Sequence, residues 1–320
     1  MSEIYAPQRH RIAIASSFEG IINNGASECA LTSLNAYHRQ DPTAFAGRTL
    51  TPEDFKTYRD SPVVQGFLAL RPLVEIAEDY RTVLDIIARH PEEVEALVAD
   101  PHNTTLYHSL SERFDTIKTQ TEKEREAFGR GKESLFYTER AALKKADLAA
   151  WMGTQGVFPD TLPQFRLLVN TQQWEGSEPI SGFYPRFATS KDEATAHTLC
   201  SIYTQTDRLR PDDVEGERCL IPRDGIIGME TVPDRNKVTQ LDEIGRRLSV
   251  PRTQVWRLND MYNPPQQAEL NAAGFTNQFF LPGYTSPVEI GQAREDPHVK
   301  ILDRRTFAHQ LAEYAREWGF

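Results

Sequence analysis

The run from Arg11 to Ile22 reads Arg-Ile-Ala-Ile-Ala-Ser-Ser-Phe-Glu-Gly-Ile-Ile, so a short apolar segment delivers a hydroxyl at Ser17 and a carboxylate at Glu19 into a turn. A carboxylate can move protons, whereas a hydroxyl becomes a nucleophile only beside a base, and no histidine neighbours Ser17. Equivalent polar groups close two other apolar segments: Thr189 and Ser190 after Phe183 to Ala188, and Asn259 and Asp260 after Val255 to Leu258. Each group also has a plainer reading. Ser17 and Glu19 serve as turn residues, Thr189 and Ser190 as an N-cap pair for the helix beginning at Glu193, and Asp260 as another N-cap. Capping and anion binding are compatible, since a helix N-terminus presents free N–H donors.

The elements that must position these groups alternate between strand-like and helix-like patterns in two separated blocks. The first is brief: a strand at Ile12 to Ala15, a turn, and a helical pattern through Cys29, Leu31, Leu34 and Tyr37. A long helical region follows. Phe67, Leu70, Leu73, Val74, Ala77, Tyr80, Leu84 and Ile87 recur at three and four, the period of an amphipathic helix, and Pro91 marks a fresh start. Residues 104–145 continue helical, with mixed charge through Glu122-Lys123-Glu124-Arg125 on a solvated face. Arg71, Glu75, Glu78, Asp79 and Arg81 form a dense ionic stretch, either a solvated face or a surface that meets a substrate.

The β pattern resumes after a loop rich in Pro, Gly and Ser between Gln172 and Gly182. Phe183 to Ala188 is a strand and Glu193 to Tyr203 a helix; a charged connector from Asp207 to Arg218 leads to Gly225-Ile226-Ile227-Gly228. Helices over Lys237 to Leu248, Gln267 to Ala273 and Thr306 to Trp318 then interleave with strands at Val255 to Leu258, Gln278 to Leu281 and Val299 to Leu302. Such alternation implies βαβ crossovers and a mostly parallel α/β sheet. Ligands of these sheets sit outside the carboxyl ends of the strands, where Ser17, Glu19, Thr189, Ser190 and Asp260 would converge.

Length and charge narrow the function classes. A chain of 320 residues allows about two domains. No stretch approaches the ~20 apolar residues of a membrane span, and Met1 to His10 do not read as a secretory signal, so the expected location is cytoplasmic. A net charge of −10 disfavours a nucleic-acid backbone or an anionic membrane as partner. Cys29, Cys200 and Cys219 are too scattered for a disulfide framework, and the eight histidines show no metal-ligating spacing. No Gly-rich phosphate loop, dinucleotide fingerprint or nucleophile elbow is present.

Taken in order, Ser17-Phe18-Glu19-Gly20, Ala188-Thr189-Ser190-Lys191, Gly228-Met229-Glu230, Asn236-Lys237, Val255 to Asp260, Ala272-Ala273-Gly274-Phe275 and Pro282-Gly283-Tyr284 resemble the haloacid dehalogenase (HAD) superfamily, in its phosphoglycolate-phosphatase-like branch. The resemblance covers nearly the whole chain. It implies a Rossmann-like core over 1–24 and 183–320, with a helical cap inserted over 25–182. It also implies a mechanism in which a first-strand aspartate attacks phosphorus and a second, two residues on, acts as acid and base. Magnesium would be held by the first carboxylate, a backbone carbonyl and a later acidic residue. By that pattern Thr189, or Ser190, supplies the anion-binding hydroxyl, Lys237 the phosphate-binding ammonium and Asp260 a metal ligand, while Asn259, where a glycine is usual, is a further anion-binding candidate.

The departures carry as much meaning as the matches. Ser17 stands in the place of the nucleophilic aspartate and Glu19 in that of the acid/base aspartate, while no second acidic residue follows Asp260 in Met261-Tyr262-Asn263-Pro264-Pro265. The aspartyl-phosphate route is closed, and the extra methylene of Glu19 shifts its carboxylate by about 1 Å, a displacement that can cost ~10²-fold. Three expectations follow. The first is a pseudo-hydrolase or regulator that binds a small anionic metabolite and leaves room for a protein partner. The second is a lyase, isomerase or transferase using Glu19 and Lys237, and the third a residual magnesium-dependent phosphatase. No cofactor is certain, and two carboxylates with one hydroxyl make a weakened magnesium site.

Overall fold

The computed structural model describes residues 11–45, 47–173, 182–205 and 221–319. Cys219, the connector from Asp207 to Arg218 and most of the loop between Gln172 and Gly182 lie outside the described residues.

Six strands form one all-parallel sheet: β1 (Ile12–Ser16), β4 (Phe183–Ala188), β5 (Ile226–Ile227), β6 (Val255–Asn259), β7 (Gln278–Phe280) and β8 (Val299–Ile301), in the order β5-β4-β1-β6-β7-β8. The protein is therefore an α/β protein with a Rossmann-like sheet. The chain winds outward from β1 through β4 to β5, then returns to the other side of β1 and winds outward through β6, β7 and β8. That reversal makes a crevice at the carboxyl ends of β1 and β6, the switch point at which open α/β sheets bind ligands. β2 (Asn23–Asn24) and β3 (Gly156–Val157) form a separate two-stranded sheet.

Both faces of the large sheet are covered, which explains why its strands read as continuous apolar runs. On one face Ala13, Ala15, Ala188 and Val255 pack with Leu241, Ile244 and Leu248 of α12 (Lys237–Leu248) and Leu270 of α13 (Pro264–Ala272). The other face is aromatic. Phe187 meets Phe18 and Phe165, the latter on α10 (Leu162–Gln173), with ring centroids 5.2 Å apart in each pair. Trp256 packs against Phe279, and both rings meet Trp318 just beyond α15 (Phe307–Glu317). α11 (Glu193–Gln205) and α14 (Pro287–Glu295) are further helices among the described residues.

The chain divides into two compact units. The sheet unit comprises the chain through Asn23, Val157–Thr285 and the chain from Glu289; the helical unit comprises Asn24–Gly156 with Ser286–Val288. The return to the sheet unit falls at Val157, not at residue 183, because α10 packs on β4 and α15. The sequence places α10 on the cap side only because a loop rich in Pro, Gly and Ser follows it.

The helical unit holds α1 (Ala26–Gln40), α2 (Pro52–Tyr58), α3 (Pro62–Leu70), α4 (Asp79–Arg89), α5 (Pro91–Ala99), α6 (Thr104–Gln120), α7 (Glu122–Gly129), α8 (Leu135–Ala146) and α9 (Leu148–Met152). The three-and-four pattern from Phe67 to Ile87 spans two helices instead of one. Pro72 ends α3 in a 3-10 turn at Arg71–Leu73, since proline supplies no N–H to continue the helical ladder. The ionic stretch beyond that break is solvated only in part, since Glu75 is exposed and Asp79 is not. Asp79 is fully buried and accepts from Arg125 at 2.6 Å, from the backbone N–H of Glu75 at 3.0 Å and of Ile76 at 3.2 Å, with the Lys118 ammonium 3.1 Å away.

Candidate functional site

Ser17 directly follows β1, and its hydroxyl donates to Asn259 Oδ1 across 2.8 Å. Asn259 ends β6, so this bond closes the crevice between the two strands at the point where their order reverses. The amide nitrogen of Asn259 in turn donates to the carbonyl of Met261. Both side chains are thereby engaged with each other and with the loop behind them.

Gly20 carries φ +79°, and a Cβ built there would lie 1.8 Å from Asp260 Oδ2. The glycine is thus required twice: for its left-handed backbone and for the close approach of the Asp260 carboxylate. Gly283, in the loop after β7, is pressed against the carbonyl of Gly20, where an added Cβ would lie 2.2 Å from that oxygen. Thr285 Oγ1 donates to the Asp260 carbonyl at 2.7 Å. Arg304 holds the other side, donating to the carbonyls of Gly20 (3.2 Å) and Pro282 (2.5 Å) while pairing with Asp160 at 2.9 Å. Burial would raise the Asp160 pKa, but the hydrogen bond and charge of Arg304 outweigh it and hold it below the usual carboxylate value.

Glu19 points to Lys191, whose ammonium lies 2.9 Å from Glu19 Oε1 and whose side chain is only 1% exposed. Lys191 follows Thr189 by two residues, and its backbone N–H is accepted by Thr189 Oγ1 at 3.0 Å. This tight turn after β4 swings Lys191 inward and leaves Ser190 exposed. Behind Glu19, the buried Tyr203 hydroxyl donates to Asn23 Oδ1; burial, then the charges of Cys200 and Glu19, push its pKa well above the usual value.

Lys237 opens α12, capped by Asn236, whose Oδ1 accepts from the Thr239 N–H at 2.9 Å. Its ammonium donates to the carbonyl of Ala188 at 2.8 Å and to Gln240 Oε1 at 2.9 Å. Gln240, fully buried one turn along the same helix face, donates in turn to the carbonyls of Thr189 (2.9 Å) and Ile227 (3.4 Å). The strand period places Arg257 on the same face of β6 as Val255, toward α12. Arg257 is buried, donates to Gln266 and Gln278, and is lowered to about 10 by burial, which Asp260 opposes. Burial first, then the charge of Arg257, bring Lys237 down to about 7 against the opposing pull of Asp260.

The crevice therefore gathers Ser17, Glu19, Thr189, Lys237, Asn259 and Asp260, all singled out by the sequence, with Ser190 at its exposed margin. It also gathers Lys191, Arg257, Gln240 and Arg304, which the sequence reading gave no role. A charged residue inside the apolar run Val255-Trp256-Arg257-Leu258 was a usable signal of a buried cation. Gln240 was legible as the i+3 partner of Lys237. The inward turn of Lys191 and the reach of Arg304 depend on tertiary contacts.

Three cationic side chains, Lys191, Lys237 and Arg257, stand against two carboxylates, Glu19 and Asp260. This donor set does not fit magnesium. Ser17 spends its hydroxyl on Asn259, Glu19 is paired with an ammonium, and Asp260 faces Arg257 and Lys237. Among the described residues no three His, Cys, Asp or Glu side chains are grouped to hold a metal ion, and no helix is long and apolar enough to cross a membrane. A separate open cleft of about 450 Å³ lies on the helical unit, lined in part by Arg89, His90, Glu112 and Arg113. Arg113 and His90 are drawn to Glu93, at 3.0 and 3.5 Å, so its chemistry is less concentrated than that of the crevice.

In comparisons with protein-family models, with curated proteins and with solved structures, the chain found no match in any of the three. The class that fold and site define is a Rossmann-like parallel α/β protein with a cation-rich crevice at its switch point.

Proposed function

We propose that the chain is a HAD-like protein that has lost phosphoryl-transfer chemistry and binds a small anion, a phosphate or carboxylate, in the crevice, as a binding or partner-regulating protein. The parallel sheet and the helical segment between β2 and β4 agree with what the resemblance implies for the scaffold. The observation that carries the reading is the gathering of three cationic side chains, two of them buried, against two carboxylates at the strand ends of a chain whose net charge is −10. Buried charge without compensation is costly, and an anion supplies the compensation. The hydroxyl proton of Thr189 and one N–H of a charged Lys237 have no acceptor among the described residues, which leaves two donors for that anion.

Loss of phosphatase chemistry is supported by the same geometry: Ser17 lacks both charge and base, and Glu19 is held by Lys191. Calorimetric titration and thermal unfolding with inorganic phosphate test the reading. Saturation at a hundredfold over Kd stabilises the fold by about 2.7 kcal/mol, and Lys237→Met removes the effect. Magnesium-dependent phosphate release from p-nitrophenyl phosphate, abolished by Asp260→Ala, would overturn it. A second reading, an enzyme of changed chemistry, is favoured by one feature only, the depressed pKa of Lys237.

A further inference from the structure

Asparagine followed by glycine occurs once in the chain, at Asn24-Gly25, where the chain leaves the sheet unit for the helical unit. Asn24 ends β2 and Gly25 is the N-cap of α1. Glycine has no side chain with which to cap, so Asn24 reaches past it, and its Oδ1 accepts from the Ala26 N–H at 3.4 Å. An oxygen that reaches two residues forward carries its own carbon, Cγ, over the peptide nitrogen between them. That nitrogen belongs to Gly25, whose N–H meets no acceptor among the described residues. No Cβ on Gly25 crowds the approach. Asn24 is half-buried, so water reaches the residue. The hydrogen bond at Oδ1 also draws electron density from Cγ and makes it the better electrophile.

We infer that Asn24 is a site of spontaneous deamidation, and that its isoaspartate product lengthens the backbone at β2 and loosens the first turn of the crevice. The Gly25 nitrogen gives its proton to solvent hydroxide and forms a bond to Asn24 Cγ, while the carbonyl π pair moves to Oδ1. That pair returns as the Cγ–Nδ2 bond breaks, and the nitrogen takes a proton from water and departs as ammonia. Water then opens the cyclic imide. Cleavage at Cγ leaves aspartate at position 24; cleavage at the backbone carbonyl leaves isoaspartate, which routes the chain through the side-chain carbon. One water is consumed and one ammonia released, with no oxidant or reductant. Both products place a carboxylate just before the N-cap of α1, where a helix terminus favours it. Only isoaspartate adds a backbone atom. Its neighbour Asn23 is built into the crevice turn: the Asn23 carbonyl accepts from the Gly20 N–H at 3.0 Å, and its Oδ1 accepts from the buried Tyr203 hydroxyl. A longer backbone beside Asn23 displaces both acceptors, and neither step needs an anion in the crevice.

Ageing the full chain at mildly alkaline pH, followed by peptide mass spectrometry, reads the reaction as replacement of an amide NH2 by OH on the peptide that holds Asn24. Electron-transfer fragmentation separates aspartate from isoaspartate. The expected rate at Asn24 is on the order of tenfold above that at exposed Asn103, whose follower Thr104 is β-branched, and no lower in the native chain than in guanidinium chloride. Asn24→Gln abolishes the change and Gly25→Ala slows it. In the aged protein the Gly20 amide exchanges its hydrogen faster, whereas in Asn24→Asp, which adds the charge without the backbone atom, it exchanges at the native rate. A native rate about tenfold or more below that in denaturant, the mark of a fold that protects the amide, overturns the site, as does a rate at Asn24 no greater than at Asn103. Isoaspartate at position 24 with Gly20 exchange unchanged overturns the link to the crevice turn.

Discussion

The Lys191 ammonium, almost wholly buried, lies 2.9 Å from Glu19 Oε1, so the carboxylate on the first turn is neutralised by a cation delivered from the end of the neighbouring strand. Two residues from Glu19, Ser17 is tied to Asn259. Where the resemblance implies two free carboxylates, the molecule has an ion pair and a hydrogen bond, and each joins β1 to one of its neighbours in the sheet. The turn is a joint between strands, set among cationic side chains.

The pair is asymmetric, and its variants should be as well. Glu19 is 20% exposed on its side chain and Lys191 1%, so losing the glutamate takes a carboxylate from a buried ammonium, whereas losing the lysine leaves a carboxylate that water can reach. Glu19→Leu is expected to cost about 3 kcal/mol and Lys191→Met clearly less, with the double variant below the sum. Denaturant melts of the three proteins test the order; equal costs, or a larger one for Lys191→Met, would refute the asymmetry.

Gly20→Ala is expected to destabilise by 3 kcal/mol or more, on the order of the largest single-residue effects. Its two causes can be separated. The Cβ would collide with Asp260 Oδ2, and the φ of +79° is strained for any L side chain. In an Asp260→Gly background the collision vanishes and only the backbone cost of about 1–2 kcal/mol remains. A full cost for Gly20→Ala in that background, measured by the same melts, would show that the carboxylate is not the obstacle.

Much of the sheet unit was legible because its signals are local. Phe183–Ala188 and Lys237–Leu248 fall where the apolar runs and the Asn236 cap place them. α13 begins at Pro264, three residues before the expected start, because Asn263 caps it and proline is favoured in a first turn. The break at Pro72 was visible in the residue type but masked by a periodicity that continues across it. Buried ionic contacts were not legible. Asp79 and Arg125, like Glu19 and Lys191, are far apart in sequence, and nothing in the spacing distinguishes a carboxylate that pairs in the interior from one on a wet helix face.

Lys237 makes stability depend on pH in a direction opposite to that of a paired lysine. Its folded pKa is about 7 and an unfolded lysine titrates near ~10.4, so between those values the unfolded chain holds a proton that the folded chain does not. Stability therefore rises with pH across that window, by about 1.4 kcal/mol per pH unit from this group at most, and the penalty is fully present below pH 7. Lys237→Met removes the contribution. The stability difference, native minus variant, should climb from pH 7 toward pH 10; a flat difference would mean that the ammonium is not depressed in the folded state.

Asp79 offers the corresponding test in the helical unit. Its carboxylate joins the turn before α4 to Arg125 of α7 and Lys118 of α6, and Arg125 is itself buried. Asp79→Ala leaves that guanidinium without its carboxylate, at an expected cost of about 3–5 kcal/mol. Replacing both partners, as Asp79→Leu with Arg125→Met, should recover a large part of it, because the stranded charge and not the lost attraction dominates the penalty. The chain has two compact units, so a single melting temperature is an ambiguous readout. Amide hydrogen exchange resolves the effect by element: the single variant should speed exchange in α4, α6 and α7 well beyond any change in α12, and the double variant should reverse most of it. Exchange in α4 and α7 unchanged by Asp79→Ala would mean that the buried pair does not hold these helices together.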